Sequence, residues 1–235
     1  MVQNHYKYDN ESLEYEKQNK IQHYRLQRLP DDFITWQISE RLNLFNSLKH
    51  KTQPVFFRPH LPTLLTLNTD GTDFPINAAC KGVGLIAIDS EIPVIIEKTT
   101  MILQQVNTSG FYDSIQKRIE GAMLLYDKPE RINRMALGGL EIFETKTFTN
   151  ILKNPFVSLF YVGGSPGYKS YQINCIAEIF DHTQPFYRFM INMRRLFEEA
   201  SFHFQQPQYP YAVKYHVLQV LDKSLKLRKA KKEKE

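Results

Sequence analysis

The sequence predicts an α+β domain built around a mainly antiparallel β-sheet, and two observations lead to this prediction. Short apolar runs, several of them rich in β-branched and aromatic residues, are separated by turn signals between residues 61 and 181. Apolar residues at helical spacing flank that region at 33–50 and 184–200. Helices set apart from a series of strands are typical of the α+β class.

The composition is that of a globular protein with enough apolar residues for one sizeable core. The chain has 235 residues, of which 42% are hydrophobic and 23% charged, and it contains 16 Phe and 13 Tyr. Disordered chains are poor in aromatic residues, and collagen-like chains and coiled coils carry compositional repeats, so these classes are excluded. The length suits one generous domain or two small ones, and we see no linker that would separate two.

We expect three segments along the chain. Residues 1–30 are polar and charged and are predicted to form an irregular or partly helical arm, whereas residues 31–222 form a single domain. Residues 223–235 form a basic tail with seven of the 30 basic and two of the 25 acidic residues, so 23 of each sign precede it. The tail is interpreted as a solvated helix end, with contact to nucleic acid or an acidic membrane surface as the alternative.

The first predicted elements are a helix and a group of strands. After a Pro-Asp-Asp start at Pro30, apolar residues recur at helical spacing and predict an amphipathic helix. Strands are predicted at 61–68 and 76–89, on either side of a turn rich in Asp and Gly. The β-branched residues of 91–106 predict a further strand or strand pair, and 118–127 is another strand candidate.

The second half of the chain continues this alternation. The segment 127–137 is predicted to form a helix with Pro near its first turn. A strong turn signal, GGSPG, lies between two of the later strands. The segment 184–200 carries Phe, Met and Leu on one helical face, which we interpret as a helix packed on the sheet rather than a cofactor-binding face. Strands are predicted at 139–144, 156–163, 168–181 and 211–221.

Most signatures of hydrolytic or metal-dependent chemistry are missing from the sequence. Cys80 and Cys175 have no ligand spacing around them and are expected to be buried free thiols. No nucleophile elbow, Walker loop or dinucleotide fingerprint occurs, and the seven His residues are scattered. His203 and His216 lie in aromatic, strand-like surroundings and are expected to be packed side chains. Hydrolysis and metal catalysis are therefore disfavoured.

One constellation of polar residues is more suggestive. The segment ETKTFTN places Thr145, Lys146, Thr147 and Asn150 just after a short strand and just before an apolar one. Hydroxyl groups, an ammonium group and free backbone amides can together hold a phosphate dianion. The alternative is that these residues form a polar turn that caps a short helix ending at the Asn154-Pro155 pair. The residues alone leave both interpretations open.

The order of these parts resembles the pyridoxamine-phosphate-oxidase-like family of FMN-binding split barrels. LPTLLTLNTDGTDFPINAA resembles the opening hairpin of that barrel, and KTFTNILKNPFVSLFYV resembles its phosphate-binding loop, short helix and core strand. YKSYQINCIAEIFD resembles the next strand, with a helix after it. The likeness covers residues 54–199. It implies an α+β fold with a mainly antiparallel split β-barrel and flanking helices.

The same resemblance implies a function and a set of binding residues. It implies a homodimer that holds FMN, or in some members heme or a deazaflavin, at the subunit interface and acts as an oxidoreductase on a small molecule. Lys146 and Thr147 fall on phosphate-binding positions, with Thr145 and Asn150 nearby. Lys98 and Arg118, the latter expected on the preceding strand, are additional candidate contacts. Tyr171 and Gln172 are expected to face the edge of the flavin ring. The cofactor would perform the redox chemistry, so no protein nucleophile is expected.

Two departures from the family pattern bear on the substrate. Residues 107–140 form an insertion that is longer than a minimal barrel needs, and the chain lacks the Arg-rich ending of true pyridoxamine phosphate oxidases. A vitamin B6 substrate is therefore not expected.

A non-enzymatic interaction or assembly protein, with an aromatic-rich domain and a basic tail, is the alternative function. The first residues lack the apolar core of a signal peptide, and no apolar run is long enough to span a bilayer, so a cytoplasmic location is expected.

Overall fold

The computed structural model describes seven stretches of the chain, and all structural statements below concern these stretches. They contain ten strands and five α-helices. The described residues are 5–8, 11–17, 20–52, 60–71, 74–163, 168–199 and 206–224. The strands are β1 (His5–Tyr8), β2 (Ser12–Lys17), β3 (Lys20–Arg25), β4 (Thr63–Leu67), β5 (Ile76–Cys80), β6 (Val83–Ala87), β7 (Ile132–Glu141), β8 (Phe156–Gly163), β9 (Lys169–Phe180) and β10 (Tyr211–Asp222). The helices are α1 (Asp31–Lys49), α2 (Ile92–Gln105), α3 (Ile115–Tyr126), α4 (Lys146–Lys153) and α5 (Pro185–Arg195).

The main sheet has seven strands in the order β5-β4-β8-β9-β10-β7-β6, and all of its pairings are antiparallel. Its two edge strands, β5 and β6, follow each other in the chain. The loop between them hydrogen-bonds to the chain before β4, because the amide of Lys81 donates to Pro62 O at 3.1 Å and that of Val83 to His60 O at 2.9 Å. The sheet therefore curves until its edges approach each other. The α+β class and the antiparallel sheet predicted from the sequence are confirmed.

The core lies on the inner face of this curved sheet, and α1 packs against it there. Phe33 is fully buried, with its ring centroid 5.1 Å from that of Tyr161 on β8 and 5.2 Å from that of Tyr171 on β9. Trp36, one turn further along α1, also packs against Phe33 and Tyr171. The helix predicted after Pro30 is thus confirmed, and its aromatic residues fill the space inside the sheet.

The first 30 residues differ from the prediction, since their described part is not irregular or helical. Strands β1, β2 and β3 form a separate three-stranded antiparallel sheet. Leu13 and Tyr15 alternate with charged residues on β2 and are buried. This period of two is the pattern of a half-buried strand, but frequent Lys and Glu residues obscure it in the sequence. The small sheet packs through Leu13 and Leu26 on Ile176, on the outer face of the main sheet.

Two segments predicted as strands are helices, which is a second correction. The segment 91–106 forms α2, where Ile92, Ile95 and Thr99 are buried at helical spacing. The segment 118–127 lies mostly in α3. Both predictions relied on β-branched and apolar content, and the period of burial shows that tertiary packing outweighed that propensity.

The segment 127–137 is a third correction, because it does not form the predicted helix. A single 3₁₀ turn at Pro129–Arg131 leads directly into β7. Strand β7 pairs with β10 on one side and with β6 on the other, so it lies inside the sheet. The predicted strand 139–144 is only the end of β7.

Several smaller predictions are confirmed or corrected. The later strands β8, β9 and β10 and the helix α5 are confirmed. Cys175 is buried as expected, whereas Cys80 is exposed on the edge strand β5. Residues 164–167 of the GGSPG turn, His203 and the tail from 225 onward lie outside the described residues. Within the described stretches, no helix is both long and apolar enough to cross a membrane, and no group of His, Cys, Asp and Glu side chains could hold a metal ion.

Candidate functional site

The predicted phosphate loop leads into the short helix α4. Glu144 adopts a left-handed backbone conformation with φ of 48°, and Thr145 is extended, so the chain turns sharply before the helix begins at Lys146. Asn154 and Pro155 end the helix, since proline cannot continue it. The short helix expected from the sequence is present. Its first turn carries the hydroxyl and ammonium groups of the candidate site.

A buried network of amide and hydroxyl groups holds α4 against the β4–β5 hairpin. Asn150 donates from Nδ2 to Oγ1 of Thr66 at 3.0 Å and to Oδ1 of Asn68 at 3.1 Å. Asn77 donates from Nδ2 to Oγ1 of Thr147 at 3.0 Å. Thr66, Thr147 and Asn150 are buried, so each of these hydrogen bonds lies largely outside water. The network fixes the position of the helix relative to the sheet.

The only charged side chain in the first turn of α4 is that of Lys146. Its Nζ lies 3.0 Å from Oδ2 of Asp70 at the tip of the hairpin, and both side chains are about two-fifths exposed. An exposed ion pair of this kind contributes little to stability, since both charges remain solvated. The ammonium group is therefore held beside the amino end of α4, and an arriving anion would compete with Asp70 for it.

The amino end of α4 has no side-chain cap. Thr145 occupies the N-cap position without a capping hydrogen bond. The preceding turn is organised differently, because the carboxylate of Glu141 accepts the amides of Ile142, Phe143 and Glu144 and pairs with Lys81 at 3.0 Å. The unpaired amides of a helix start and the helix dipole both favour an anion. The amides of the helix start, the Lys146 ammonium and the exposed Thr145 therefore lie together, whereas Thr147 is buried against Asn77.

The structure brings together four of the eight residues predicted to bind a cofactor. Thr145, Lys146, Thr147 and Asn150 lie on one short helix and its cap. Gln172 lies on β9 and donates from Nε2 to Ser158 Oγ at 3.3 Å and to Asn174 Oδ1 at 3.2 Å. Because β9 and β4 both pair with β8, Gln172 lies two strands away from β4.

The other three predicted residues lie apart from this site. Tyr171 is buried in the core beside Phe33 and Trp36, because successive residues of a strand face opposite sides of the sheet and Gln172 takes the outer one. Lys98 is exposed on α2. Arg118 is on α3 and not on a strand.

Arg118 has a structural environment of its own. Its guanidinium donates to the backbone carbonyls of Arg195 at 3.3 Å and Leu196 at 3.2 Å, and to Oγ of Ser114 at 2.8 Å. Carbonyls at the end of a helix otherwise lack partners, so Arg118 satisfies the end of α5. Its position in the sequence, between Lys117 and Ile119, gave no signal of this role.

The outer face of β5, β4 and β8 carries apolar side chains that remain exposed. The register pairs Leu67 with Ile76, and Leu65 with both Ala78 and Ser158, so these side chains share one face of the sheet. Leu67, Ile76, Phe156 and Val162 are between 36% and 49% exposed. An exposed apolar patch on a sheet marks an interaction surface.

A second polar cluster, on β10 and β9, was not found from the sequence. The side chain of Lys214 is 2% exposed, and its Nζ lies 3.0 Å from Oδ1 of Asp89 and 2.9 Å from the hydroxyl of Tyr8. His216 is buried as expected, with Nε2 2.7 Å from Oε2 of Glu178. The period of two that places Lys214 and His216 on one face is visible in the sequence, but Tyr8 and Asp89 are far away in the chain. The cluster attaches the small sheet to the large one.

Comparisons with known proteins give similar structures. No protein-family model and no curated protein matches the chain. Solved structures that are similar include a candidate pyridoxamine 5'-phosphate oxidase from Listeria innocua, with 11% identity, 78% of this chain and 98% of that chain covered and a TM-score of 0.38. An FMN-binding protein from Syntrophomonas wolfei has 11% identity, covers 83% and 93%, and has a TM-score of 0.39. A conserved hypothetical protein from Mycobacterium tuberculosis has 9% identity, covers 84% and 85%, and has a TM-score of 0.41. The Listeria protein bears the name of the family that the sequence resembles. The Syntrophomonas protein is described as binding FMN, the cofactor that this resemblance implies.

Proposed function

We propose that this chain is a flavin-binding oxidoreductase that holds the phosphate of FMN at the amino end of α4. The observation that carries the proposal is that uncapped helix amides, the Lys146 ammonium and the exposed Thr145 lie together at the start of α4. These groups also lie at the positions that the sequence resemblance assigns to phosphate. The donors fit a dianion, since all of them are hydrogen-bond donors or cationic.

The proposed architecture is a split β-barrel formed by residues 31–222 as one domain. The succession of the two edge strands, β5 and β6, and the hydrogen bonds from their connecting loop support a barrel. Aromatic residues from α1 fill its interior. Helix α4 packs on the inner face of the β4–β5 hairpin, since its partner Thr66 alternates along β4 with Leu65 and Leu67 of the outer face.

Each residue of the site has a distinct role in this proposal. Lys146 and the amides of the first turn would bind the phosphate, whereas Asn150 and Asn77 position α4 and keep that turn in place. Bound FMN would supply the redox chemistry. A deazaflavin with a phosphate group could use the same donors.

Replacing Lys146 with alanine is expected to weaken FMN binding by about tenfold or more. One charge-assisted hydrogen bond to a phosphate contributes about 1.5–3 kcal/mol, and about 1.4 kcal/mol corresponds to a factor of ten in affinity. Riboflavin has the same ring and no phosphate, so its weaker binding should not change. Titration of both flavins, followed by quenching of their fluorescence, measures the two affinities in parallel.

Lys153→Ala is the matched control for this experiment, since it removes the same charge from the other end of α4. FMN affinity should be nearly unchanged in that variant. Unaltered FMN affinity in Lys146→Ala would show that Lys146 does not bind the phosphate. Absence of flavin binding in the wild-type protein would favour the interaction protein instead.

We further propose that the chain forms a homodimer through the outer face of β5, β4 and β8. The exposed apolar side chains of that face support this proposal. Replacing Leu67 with glutamate places an unpaired charge there, which costs several kcal/mol when buried. The dimer dissociation constant should therefore rise by at least about a hundredfold, which sedimentation equilibrium measures.

Ile21→Glu is the control for the dimer experiment, because Ile21 is equally apolar and exposed but belongs to β3 of the small sheet and not to β5, β4 or β8. Its dissociation constant should match that of the wild-type protein. A monomeric wild-type protein, or a dimer that Leu67→Glu leaves intact, would contradict the assignment of this surface.

The second candidate function is a non-enzymatic interaction protein. The same exposed apolar face favours it, because a partner other than a second copy of the chain could cover that surface. Cofactor content separates the two functions. A protein that shows visible flavin absorption after addition of FMN and removal of free ligand supports the oxidoreductase, and a colourless protein supports the interaction protein.

A further inference from the structure

A separate cavity lies on the outer face of β6 and β7, beneath α5 and α3. Its volume is about 190 Å³. Six aromatic or thioether side chains form much of its wall: Phe45, Tyr126, Phe189, Met190, Met193 and Phe197. None of its lining residues belongs to α4 or to the β4–β5 hairpin, so it is distinct from the proposed flavin site and does not depend on it.

The charge in this cavity is positive. Its described lining includes the guanidinium groups of Arg41 and Arg194 and no carboxylate. Arg194 lies 3.7 Å from Glu198, so part of its charge is compensated. Arg41 has no ion pair among the described residues, and its guanidinium lies 5.8 Å from the centre of the Tyr126 ring. A partly buried guanidinium next to apolar walls favours a carboxylate, which it binds with two parallel hydrogen bonds.

Two glycines that are paired across β6 and β7 line the cavity. Close packing requires glycine at only one of these two positions. At Gly138 a Cβ atom would stand 2.4 Å from Cγ2 of Ile86, so close packing requires glycine there. At Gly84 the nearest atom would be Nη2 of Arg41 at 3.8 Å, an ordinary contact, and the backbone is not left-handed. Glycine weakens a strand, and one that packing does not require occurs at a bulge, such as the irregularity that follows Leu85, or where a ligand approaches the backbone. The missing side chain of Gly84 leaves space between the strand and Arg41.

The volume limits what this space can hold. A cavity of about 150 Å³ with apolar walls takes up one benzene molecule. We propose that this cavity binds a small aromatic carboxylate, with its ring between the aromatic and methionine side chains and its carboxylate on Arg41. Aromatic walls fit a planar ring, and the uncompensated Arg41 fits its charge.

Benzoate and benzyl alcohol test the proposal, because they share a ring and differ in charge. Isothermal titration of the wild-type protein should show saturable benzoate binding that is at least about tenfold tighter than that of benzyl alcohol. Arg41→Gln should remove this preference and leave the two affinities similar. Gly84→Val should abolish binding of both, because its side chain occupies the space between the strand and Arg41.

Arg188→Gln is the matched control, since Arg188 is exposed on α5 outside the cavity. Its benzoate affinity should equal that of the wild-type protein. Thermal unfolding of each variant, followed by circular dichroism, shows whether it is folded at the titration temperature. Absence of saturable benzoate binding in the wild-type protein would overturn the proposal. A folded Arg41→Gln variant that still prefers benzoate would do so as well.

Discussion

Phe33→Ala is expected to lower the free energy of unfolding by about 3–5 kcal/mol, the range for removing a buried phenylalanine ring. Phe33 is fully buried where α1 meets the inner face of the sheet, and its ring contacts those of Trp36, Tyr161 and Tyr171. The substitution loses the burial of the ring and leaves a cavity between three large rings that cannot easily close. Urea unfolding followed by circular dichroism measures this loss.

Phe74→Ala provides the matched control, because Phe74 is 71% exposed at the start of the β5 side of the hairpin. The same chemical change there should alter the free energy of unfolding by no more than about 0.5 kcal/mol. Equal effects of the two substitutions would mean that Phe33 is not at the centre of the core. A small effect of Phe33→Ala alone would show that α1 does not fill the interior of the sheet.

Raising the pH above 10 is expected to destabilise the fold steeply. Burial raises the pKa values of Tyr161, Tyr215 and Cys175 above their ordinary values, and all three side chains are almost completely buried. In the unfolded chain they lose their protons near pH 10 for tyrosine and near 8.5 for cysteine, while the folded chain keeps them. The unfolded state then holds fewer protons, so stability is full below these values and falls as the pH rises.

The slope of this loss follows from the number of groups. Each contributes up to about 1.36 kcal/mol per pH unit, and the tyrosines at 8, 15, 171, 187 and 209, whose pKa values are also raised, add to the loss. Tyr161→Phe keeps the ring and removes one ionisable hydroxyl, so it should reduce the slope by up to about 1.36 kcal/mol per pH unit. Urea unfolding at several pH values between 8 and 11.5 measures both slopes. An unchanged slope in Tyr161→Phe would contradict the assignment of this group.

The sequence predicted well the elements that turns or prolines bound and whose apolar residues are regularly spaced or dense. Helices α1 and α5 and strand β8 bury residues at a regular spacing, whereas β9 and β10 also bury consecutive residues, at 175–177 and 212–217. Helix α2 was predicted as a strand because its β-branched residues favour strands, although it buries Ile92, Ile95 and Thr99 along one face. In this segment the composition favours a strand, whereas the spacing of the buried residues favours a helix. The helix forms and packs against α5.

The candidate site was predicted in part for a similar reason. Thr145, Lys146, Thr147 and Asn150 are close in the chain, so local sequence was enough to group them. Asp70 and Asn77 contact the same helix from a hairpin about 70 residues earlier, and only the pairing of β4 with β8 brings them there. Tyr171 and Gln172 are adjacent in the chain, but the structure separates them. Neighbours on a strand face opposite sides of the sheet, so only one of the two can face a ligand.

By itself the sequence determined the α+β class, the antiparallel character of the sheet and the polar start of α4. These features depend on residues that are near one another in the chain, where spacing and turn chemistry act directly. Tertiary structure alone decided that β7 is an inner strand, that Lys214 is buried beside Asp89, and that Arg41 faces the cavity over Gly84. Each of these depends on contacts between distant segments, and such contacts form only when the whole sheet has curved and its helices have packed on it.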